Sequence, residues 1–222
     1  MVDKNGQPLD TLLQFRRELL EWYKNHQRDF YWRREIESLS RFQVLMTEIF
    51  LQRTRADVVD GLMPDLMEVF VTPDAVLEVN RDELIALIKP LGLYERRFQN
   101  IQQLCQSLVD NHDGEVPHTR EELVNLPGVG EYTADAVLAI CDGKPVLMLD
   151  ANVRFVAERC LGINSDGSRE ADDKIRNVLE PCVPEEDPAA FNWALIDLGD
   201  ALRKSGQDCP VDPDSYDATE LS

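Results

Sequence analysis

Several of the usual signposts are missing from this sequence of 222 residues. No cysteines are spaced C-x-x-C, which excludes a zinc ribbon and a dithiol redox motif. The five cysteines, at 105, 141, 160, 182 and 209, are odd in number and far apart. They read as reduced, mostly buried thiols. No apolar run reaches membrane-spanning length and no signal-peptide pattern opens the chain, so a soluble, intracellular protein is expected. No stretch sustains period-two alternation and there are no internal repeats, which leaves helices to build the fold. Basic charge is also scarce: 23 Lys and Arg against 42 Asp and Glu give a net charge of −19. That total argues against a nucleic-acid binder only if totals decide, and they describe solubility and long-range field rather than a local patch. Basic residues do cluster, at Arg28, Arg33 and Arg34, at Arg53 and Arg55, and at Arg96 and Arg97.

What is present is concentrated in LPGVGEYTADAVLAI, residues 126–140, and PVLMLDANV, residues 145–153. A Pro-Gly-Val-Gly run cannot continue a helix. Pro127 lacks a backbone donor, and Gly128 and Gly130 accept positive φ without a Cβ clash. Both flanks have helical spacing, Glu121, Glu122, Leu123 and Leu126 before the turn and Tyr132, Ala136, Val137 and Ile140 after it. The stretch therefore predicts a helix, a tight glycine hairpin and a second helix. The first N–H groups of that second helix have no acceptor within it and can hold an anion such as a backbone phosphate. Taken alone, the turn is equally an ordinary connection in an all-α domain.

Along the chain, helices are expected over 9–25, 40–55, 56–70, 80–89, 94–111, 119–126, 151–161, 170–180 and 188–203. Thr72-Pro73, Pro90-Leu91-Gly92 and Asp113-Gly114 read as separators. In the helix over 40–55, Ser40 is placed to cap and Val44, Leu45, Ile49 and Leu51 mark a buried side. Glu48 sits at the border of that stripe, either reaching to water or held for chemistry, and on these residues alone water is favoured. HQRDFYWRR, residues 26–34, reads as a connecting loop that either touches a phosphate backbone or packs on the core. Thr119 and Glu122 form a capping box before the hairpin. VLMLD, residues 146–150, is too short and isolated for a sheet. Asp150 ends that apolar run and opens a helix, where it is equally a plain N-cap and a poised carboxylate.

The ordered set of hairpin, Asp150 and Asn152 in LDANV, and Glu48 in TEIFLQRT resembles the helix-hairpin-helix DNA glycosylases of the endonuclease III superfamily. The likeness runs from RDFYWR to FNWALIDLG, and it is nearest to the mismatch branch of T/G and adenine glycosylases. The resemblance implies an all-α, two-lobed fold. A six-helix barrel over 35–143 would hold Glu48 and the hairpin, and a second lobe from 1–34 and 144–205 would carry Asp150. Residues 206–222 would form an acidic, disordered tail, with Asp208, Asp212, Asp214, Asp217 and Glu220 among prolines. The resemblance further implies that Asp150 and Glu48 act on the N-glycosidic bond and that Tyr132 meets the extruded base. Gln52 would fill the vacated space, Leu93 and Tyr94 would wedge the opposite side, and Arg53 would hold the distorted backbone. The amides from Val129 to Tyr132, set by Gly128 and Gly130, would clamp a phosphate, and Asn152 would orient the site. The partner implied is double-stranded DNA with a mismatched or damaged base, met by a monomer in the cytoplasm or nucleoid.

Three departures from the family pattern refine the expectation. Members with lyase activity carry a lysine two residues after the last hairpin glycine, and here that residue is Tyr132, which cannot form a Schiff base. Tyrosine there matches the T/G branch. Most relatives end in four cysteines holding a [4Fe–4S] cluster, but here Arg203 stands at the first of those positions and Cys209 alone follows. No cluster and no other metal is therefore expected, although a monovalent cation at the hairpin is compatible with the family. The extra C-terminal domain of adenine glycosylases is absent from these 222 residues, which lowers that reading. The expectation is a monofunctional glycosylase for thymine or uracil opposite guanine. The alternatives are release of adenine opposite guanine or 8-oxoguanine, and a non-catalytic DNA-binding module with the same fold.

Overall fold

The computed structural model describes residues 9–211, and among these are twelve α-helices and no β-strand. In chain order they are α1 (Leu9–His26), α2 (Tyr31–Arg34), α3 (Arg41–Leu51), α4 (Ala56–Val69), α5 (Pro73–Glu78) and α6 (Arg81–Ile88). Then follow α7 (Tyr94–His112), α8 (Arg120–Asn125), α9 (Glu131–Cys141), α10 (Ala151–Leu161), α11 (Arg169–Leu179) and α12 (Pro188–Ser205). Two compact units result: Asp29–Asp142, and Met1–Arg28 together with Gly143–Ser222. The first divide is fixed by local bonds. Arg28 gives its backbone N–H and its Nε to Asp197, at 2.9 and 2.6 Å, whereas the Tyr31 N–H goes to Asp60 at 2.6 Å. The chain thus changes unit after Arg28, earlier than the expected 34, and returns after Asp142.

In the Asp29–Asp142 unit, α3 and α9 pack together as core helices. Phe42, Val44, Leu45, Met46, Thr47, Glu48, Ile49 and Phe50 are all buried, so α3 has no wet face along most of its length. A helix enclosed on every side belongs to a core. The expected stripe was therefore too narrow, and Leu51, placed inside it, is only half-buried. Ser40 and Gln43 close a full capping box at the start of α3. At Thr119 only the forward half of the expected box is formed, the hydroxyl accepting the Glu122 N–H.

Two loop expectations are corrected. Thr72-Pro73 does mark the end of α4, but it also starts the unexpected α5, with Thr72 accepting the Ala75 N–H and Pro73 in the first turn, where a missing donor costs nothing. HQRDFYWRR contains α2, with Trp32 buried and stacked on Phe30 at 4.5 Å. Trp32 thus packs on the core, while Arg28 sits on Asp197 and Arg34 on Asp29 at 2.7 Å.

In the other unit, α12 packs against both α1 and α10. The reading of five reduced thiols is overturned here: Cys160 and Cys209 form a disulfide across 49 residues of sequence, with Cα atoms 5.5 Å apart. Because α10 runs along α12, the end of α10 meets the segment that follows α12. Sequence separation alone does not reveal that proximity. Residues 206–211 consequently do not behave as a disordered tail, since Cys209 and Val211 are buried. Asp212, Asp214, Asp217 and Glu220 lie outside the described residues. Cys105, Cys141 and Cys182 lie outside that bond. Burial pushes the Cys105 thiol up to about 12 and the Cys141 thiol up to about 11, which leaves both unreactive at neutral pH.

Candidate active site

The hairpin between α8 and α9 is set by backbone demands. Gly128 has φ of +78°, a left-handed value that a side chain resists. Gly130 is the N-cap of α9 in extended geometry and offers no side chain to cap the helix. The end of the hairpin is braced by Arg120, whose Nε donates to the buried Asp135 at 2.7 Å and whose Nη2 reaches Glu131 at 3.3 Å. One expected phosphate donor is withdrawn: the Val129 N–H closes the turn on Leu126 O at 3.1 Å. A bonded amide has no proton to offer, so the head of α9 beginning at Gly130 is what remains for an anion.

Next to the hairpin lies a cleft of about 270 Å³ lined by Ile49, Gln52, Arg53, Leu93, Arg96, Arg97, Asn100 and Gly128. Four expected site residues, Gln52, Arg53, Leu93 and Gly128, are thereby brought together. Gln52 ends α3 and donates from Nε2 to Gly128 O at 3.0 Å, tying the α3 terminus to the hairpin. Arg53 and Leu93 both hold left-handed backbone, φ +58° and +49°. Non-glycine residues in that region cost roughly 1–3 kcal/mol each and persist only where their surroundings fix them. Leu93 is also 59% exposed, rare for a large apolar side chain and suited to insertion into a stack of bases. Tyr94 follows at the start of α7, half-buried, with Lys89 over its ring.

The charge around this cleft differs from the chain total. Arg41, Arg55, Arg81 and Arg120 of this unit sit on carboxylates. Arg53 and Arg96 line the cleft, are exposed, and have no ion-pair partner among the described residues. Arg97, grouped with them in sequence, is instead 7% exposed and bonded to backbone carbonyls. The basic pair therefore splits into one arginine facing solvent and one structural arginine.

Glu48 lies one turn before Gln52 on α3 and is 4% exposed, so it does not reach out to water. Tyr132, in the first turn of α9, is half-buried behind Gly130.

Asp150 and Asn152 belong to the other unit, where the local structure explains their position. Residues 146–149 run extended without a partner strand, and α12 and α11 supply the missing ladder. Asn192, fully buried, accepts the Met148 N–H at 2.7 Å and donates to Val146 O at 3.0 Å. Arg176 donates to Leu147 O at 3.0 Å. The segment delivers Asp150 to the N-cap of α10, where Oδ1 accepts the N–H groups of Asn152 and Val153, both at 2.8 Å. Asn152 Nδ2 donates to Oδ2 at 3.0 Å. Burial pushes the Asp150 carboxyl above the usual carboxylate value, while these hydrogen bonds and Arg154 pull it back. The N-cap reading of Asp150 is met: Oδ1 serves the helix, and Oδ2 keeps acceptor capacity beside the Asn152 amide.

Arg203, at the position of the first expected cluster cysteine, donates to Ala151 O at 2.6 Å and covers the Phe155 ring. Among the described residues no three His, Cys, Asp or Glu side chains gather as a metal site, and no helix is long and apolar enough to cross a membrane. The sequence reading passed over Asn192, Thr54 and Gly199, and took Arg97 only as one of a basic pair. Asn192 carried a usable signal, a polar residue between Phe191 and Trp193, and so did Gly199, a glycine in a helix interior.

Comparison with known proteins shows the family. A family described as "HhH-GPD superfamily base excision DNA repair protein" matches residues 46–182. A thymine-DNA glycosylase of Aeropyrum pernix is 31% identical, with 82% of each chain covered. An adenine DNA glycosylase of Schizosaccharomyces pombe is 32% identical over 83% of this chain and 44% of its own. The solved structure of a thermostable thymine-DNA glycosylase superposes with a TM-score of 0.82 at 26% identity, covering 91% of this chain and 94% of that one.

Proposed function

This chain belongs to the HhH-GPD superfamily of base excision DNA repair proteins, and from that premise we propose that it is a monofunctional glycosylase releasing thymine or uracil mispaired with guanine. The observation that carries the choice is Tyr132, a phenol and not an amine, half-buried in the first turn of α9. Overall identity does not discriminate, because the thymine and adenine enzymes match almost equally. A phenol has no nucleophilic nitrogen for a Schiff base, so the product is an abasic site in an uncut strand. Its ring can stack on or hydrogen-bond a pyrimidine.

The protein must first take the base out of the helix, at a cost of roughly a few kcal/mol that is smallest at a mismatch. Leu93 and Tyr94 wedge the stack, Gln52 enters the space the base leaves, and Arg53 holds the displaced backbone. The head of α9, from Gly130 onward, takes the neighbouring phosphate. Cleavage of the N-glycosidic bond builds positive charge on the sugar. The Asp150 carboxylate stabilises that charge and orients or deprotonates the attacking water. Glu48 faces the base, protonating it or positioning the water. Asn152 holds Asp150 in its productive orientation through the bond to Oδ2.

The residues do not fit a [4Fe–4S] cluster: Arg203 is committed to Ala151, and Cys209 to Cys160. We assign the chemistry to side chains alone, in a monomer working on chromosomal DNA inside the cell. The decisive assay incubates the protein with labelled duplexes carrying T·G, U·G, A·G or A·8-oxoguanine, each split into alkali-treated and untreated samples. The expected result is cleavage of the T·G and U·G strands only after alkali. Release of adenine, or release of no base, would overturn the proposal.

A further inference from the structure

Arg97 is the cation that the site description leaves without a task. It lies in the first turns of α7 with its guanidinium buried, and every hydrogen-bond acceptor it meets is neutral. Nη1 donates to Ile49 O at 2.7 Å. Nη2 donates to Gln52 O at 3.1 Å and to Thr54 Oγ1 at 2.9 Å, with Leu91 O farther off at 3.5 Å. Nε points at Gly92 O at 3.4 Å. Thr54 Oγ1 in turn donates to Leu91 O at 2.8 Å, closing the set.

The backbone acceptors among them come from two places only. Ile49 and Gln52 end α3, where carbonyls lack intrahelical donors and carry the negative end of the helix dipole. Leu91 and Gly92 end the short 3-10 turn Lys89–Leu91. Directly after the first group comes Arg53, and directly after the second comes Leu93, the two residues that combine left-handed backbone with exposure at the cleft. Burial of a charge among neutral dipoles is costly, and burial lowers the Arg97 pKa, yet a guanidinium stays protonated. Five donors in one rigid plane can satisfy two loops at once. A lysine ammonium concentrates its donors at one point and cannot span both.

We infer that Arg97 is a positioning residue that locks the Gln52–Arg53 turn and the Leu93 turn into one rigid unit, so that both enter the DNA together when the base is extruded. This rests on the reading of Gln52, Arg53 and Leu93 as the residues that occupy the opened helix. Arg97 itself touches neither the base nor the sugar. Its task is confined to opening paired DNA, and the bond-breaking chemistry does not depend on it.

The test separates those two steps. Single-turnover base release is measured on two duplexes that differ at one position, one carrying U·G and one carrying the same uracil opposite an abasic site, where the base is already unpaired. For Arg97→Lys, release from U·G should fall at least tenfold, while release from the abasic-opposed duplex stays within about twofold of wild type. Thr54→Val, which keeps the cation and removes the hydroxyl bridge, should show the same pattern more weakly. Leu93→Ala combined with Arg97→Lys should be no slower on U·G than the slower single variant, because Arg97 acts through the placement of Leu93. A parallel fall on both duplexes, tracking a lowered melting temperature, would overturn the inference and leave Arg97 a fold-stabilising residue. Multiplying losses in the double variant would overturn it too. If the wild-type protein releases uracil from neither duplex, the functional reading fails instead, a result distinct from either of these.

Discussion

Gly199 approaches the first turn of α10 so closely that a Cβ on it would lie 2.6 Å from both Cβ and the carbonyl oxygen of Asn152. No real side chain tolerates that distance, and two of the three nearest atoms are backbone, which cannot swing aside. The glycine in α12 is therefore what lets α10 start where it does, with Asn152 bonded to Asp150. Gly199→Ala should displace that turn, destabilising the protein by about 1–3 kcal/mol as overpacking does. It should also slow base release at least tenfold, because a misplaced carboxylate stabilises the sugar cation poorly. Melting curves and single-turnover rates read the two effects. A variant with a lowered melting temperature and full activity would show that Asp150 does not depend on this contact.

Asp150 should leave its mark on the pH profile. In the proposed mechanism its working form is the carboxylate, and burial sets its folded pKa above the ordinary value. Base release should therefore decline, as pH is lowered, at a pH above the usual carboxylate range. The Asn152 Nδ2 bond favours the charged form, so Asn152→Ala should move that acid limb upward. The linkage to stability has the opposite sense. A carboxyl whose folded pKa is raised binds its proton more tightly when folded, so its contribution to stability falls as pH rises through that value. Asp150→Asn keeps the cap and removes the charge. It should abolish base release and hold or raise the melting temperature at pH 7.

How far the sequence could be read follows from what each signal depends on. Helix positions, the hairpin and the Asp150 cap depend on neighbours within a few residues, so spacing and glycine placement expose them. Glu48 illustrates the limit. Its place at the edge of an apolar stripe implied contact with water, but α3 is covered on all sides, and only the packing of α9 and α4 around it decides that. Arg97 sits beside Arg96 in sequence and does the opposite job, because a single helical step turns one side chain out and the next inward. The disulfide and the Asn192 bonds to residues 146–148 join positions more than forty apart, which no local pattern encodes.

The Cys160–Cys209 bond should carry a measurable share of the stability. Closing 49 residues removes unfolded-state entropy worth on the order of 4 kcal/mol in the loop-closure estimate. Cys209→Ser, or treatment of the wild type with a reductant strong enough to open the bond, should lower the melting temperature by several degrees. Cys105, Cys141 and Cys182, outside the bond, serve as the internal control, since replacing Cys141 by Ser removes no cross-link. Equal melting temperatures with and without reductant would show that the bond contributes nothing.

In the proposed function, Tyr132 decides whether the strand is cut. Tyr132→Lys places a primary amine in the first turn of α9, where burial favours the neutral, nucleophilic form. Borohydride should then trap a covalent protein–DNA adduct from a U·G duplex, and strand cleavage should appear without alkali. The wild-type protein should give neither. Absence of an adduct with the lysine variant would mean that this position does not face the sugar.

Salt dependence tests how a chain with a net charge of −19 holds DNA at all. Five of the nine arginines of the Asp29–Asp142 unit, Arg34 among them, sit on carboxylates, so the field of the whole molecule repels a polyanion while Arg53 and Arg96 at the cleft attract it locally. Each phosphate contact contributes close to one unit to the slope of log affinity against log salt. Arg53→Ala and Arg96→Ala should each reduce that slope by about one unit, measured by anisotropy on a U·G duplex. Arg55→Ala removes a cation already paired with Asp57 at 2.5 Å and should leave the slope unchanged. If Arg55 mattered as much as Arg53, binding would follow total charge and not the two unpaired arginines at the cleft.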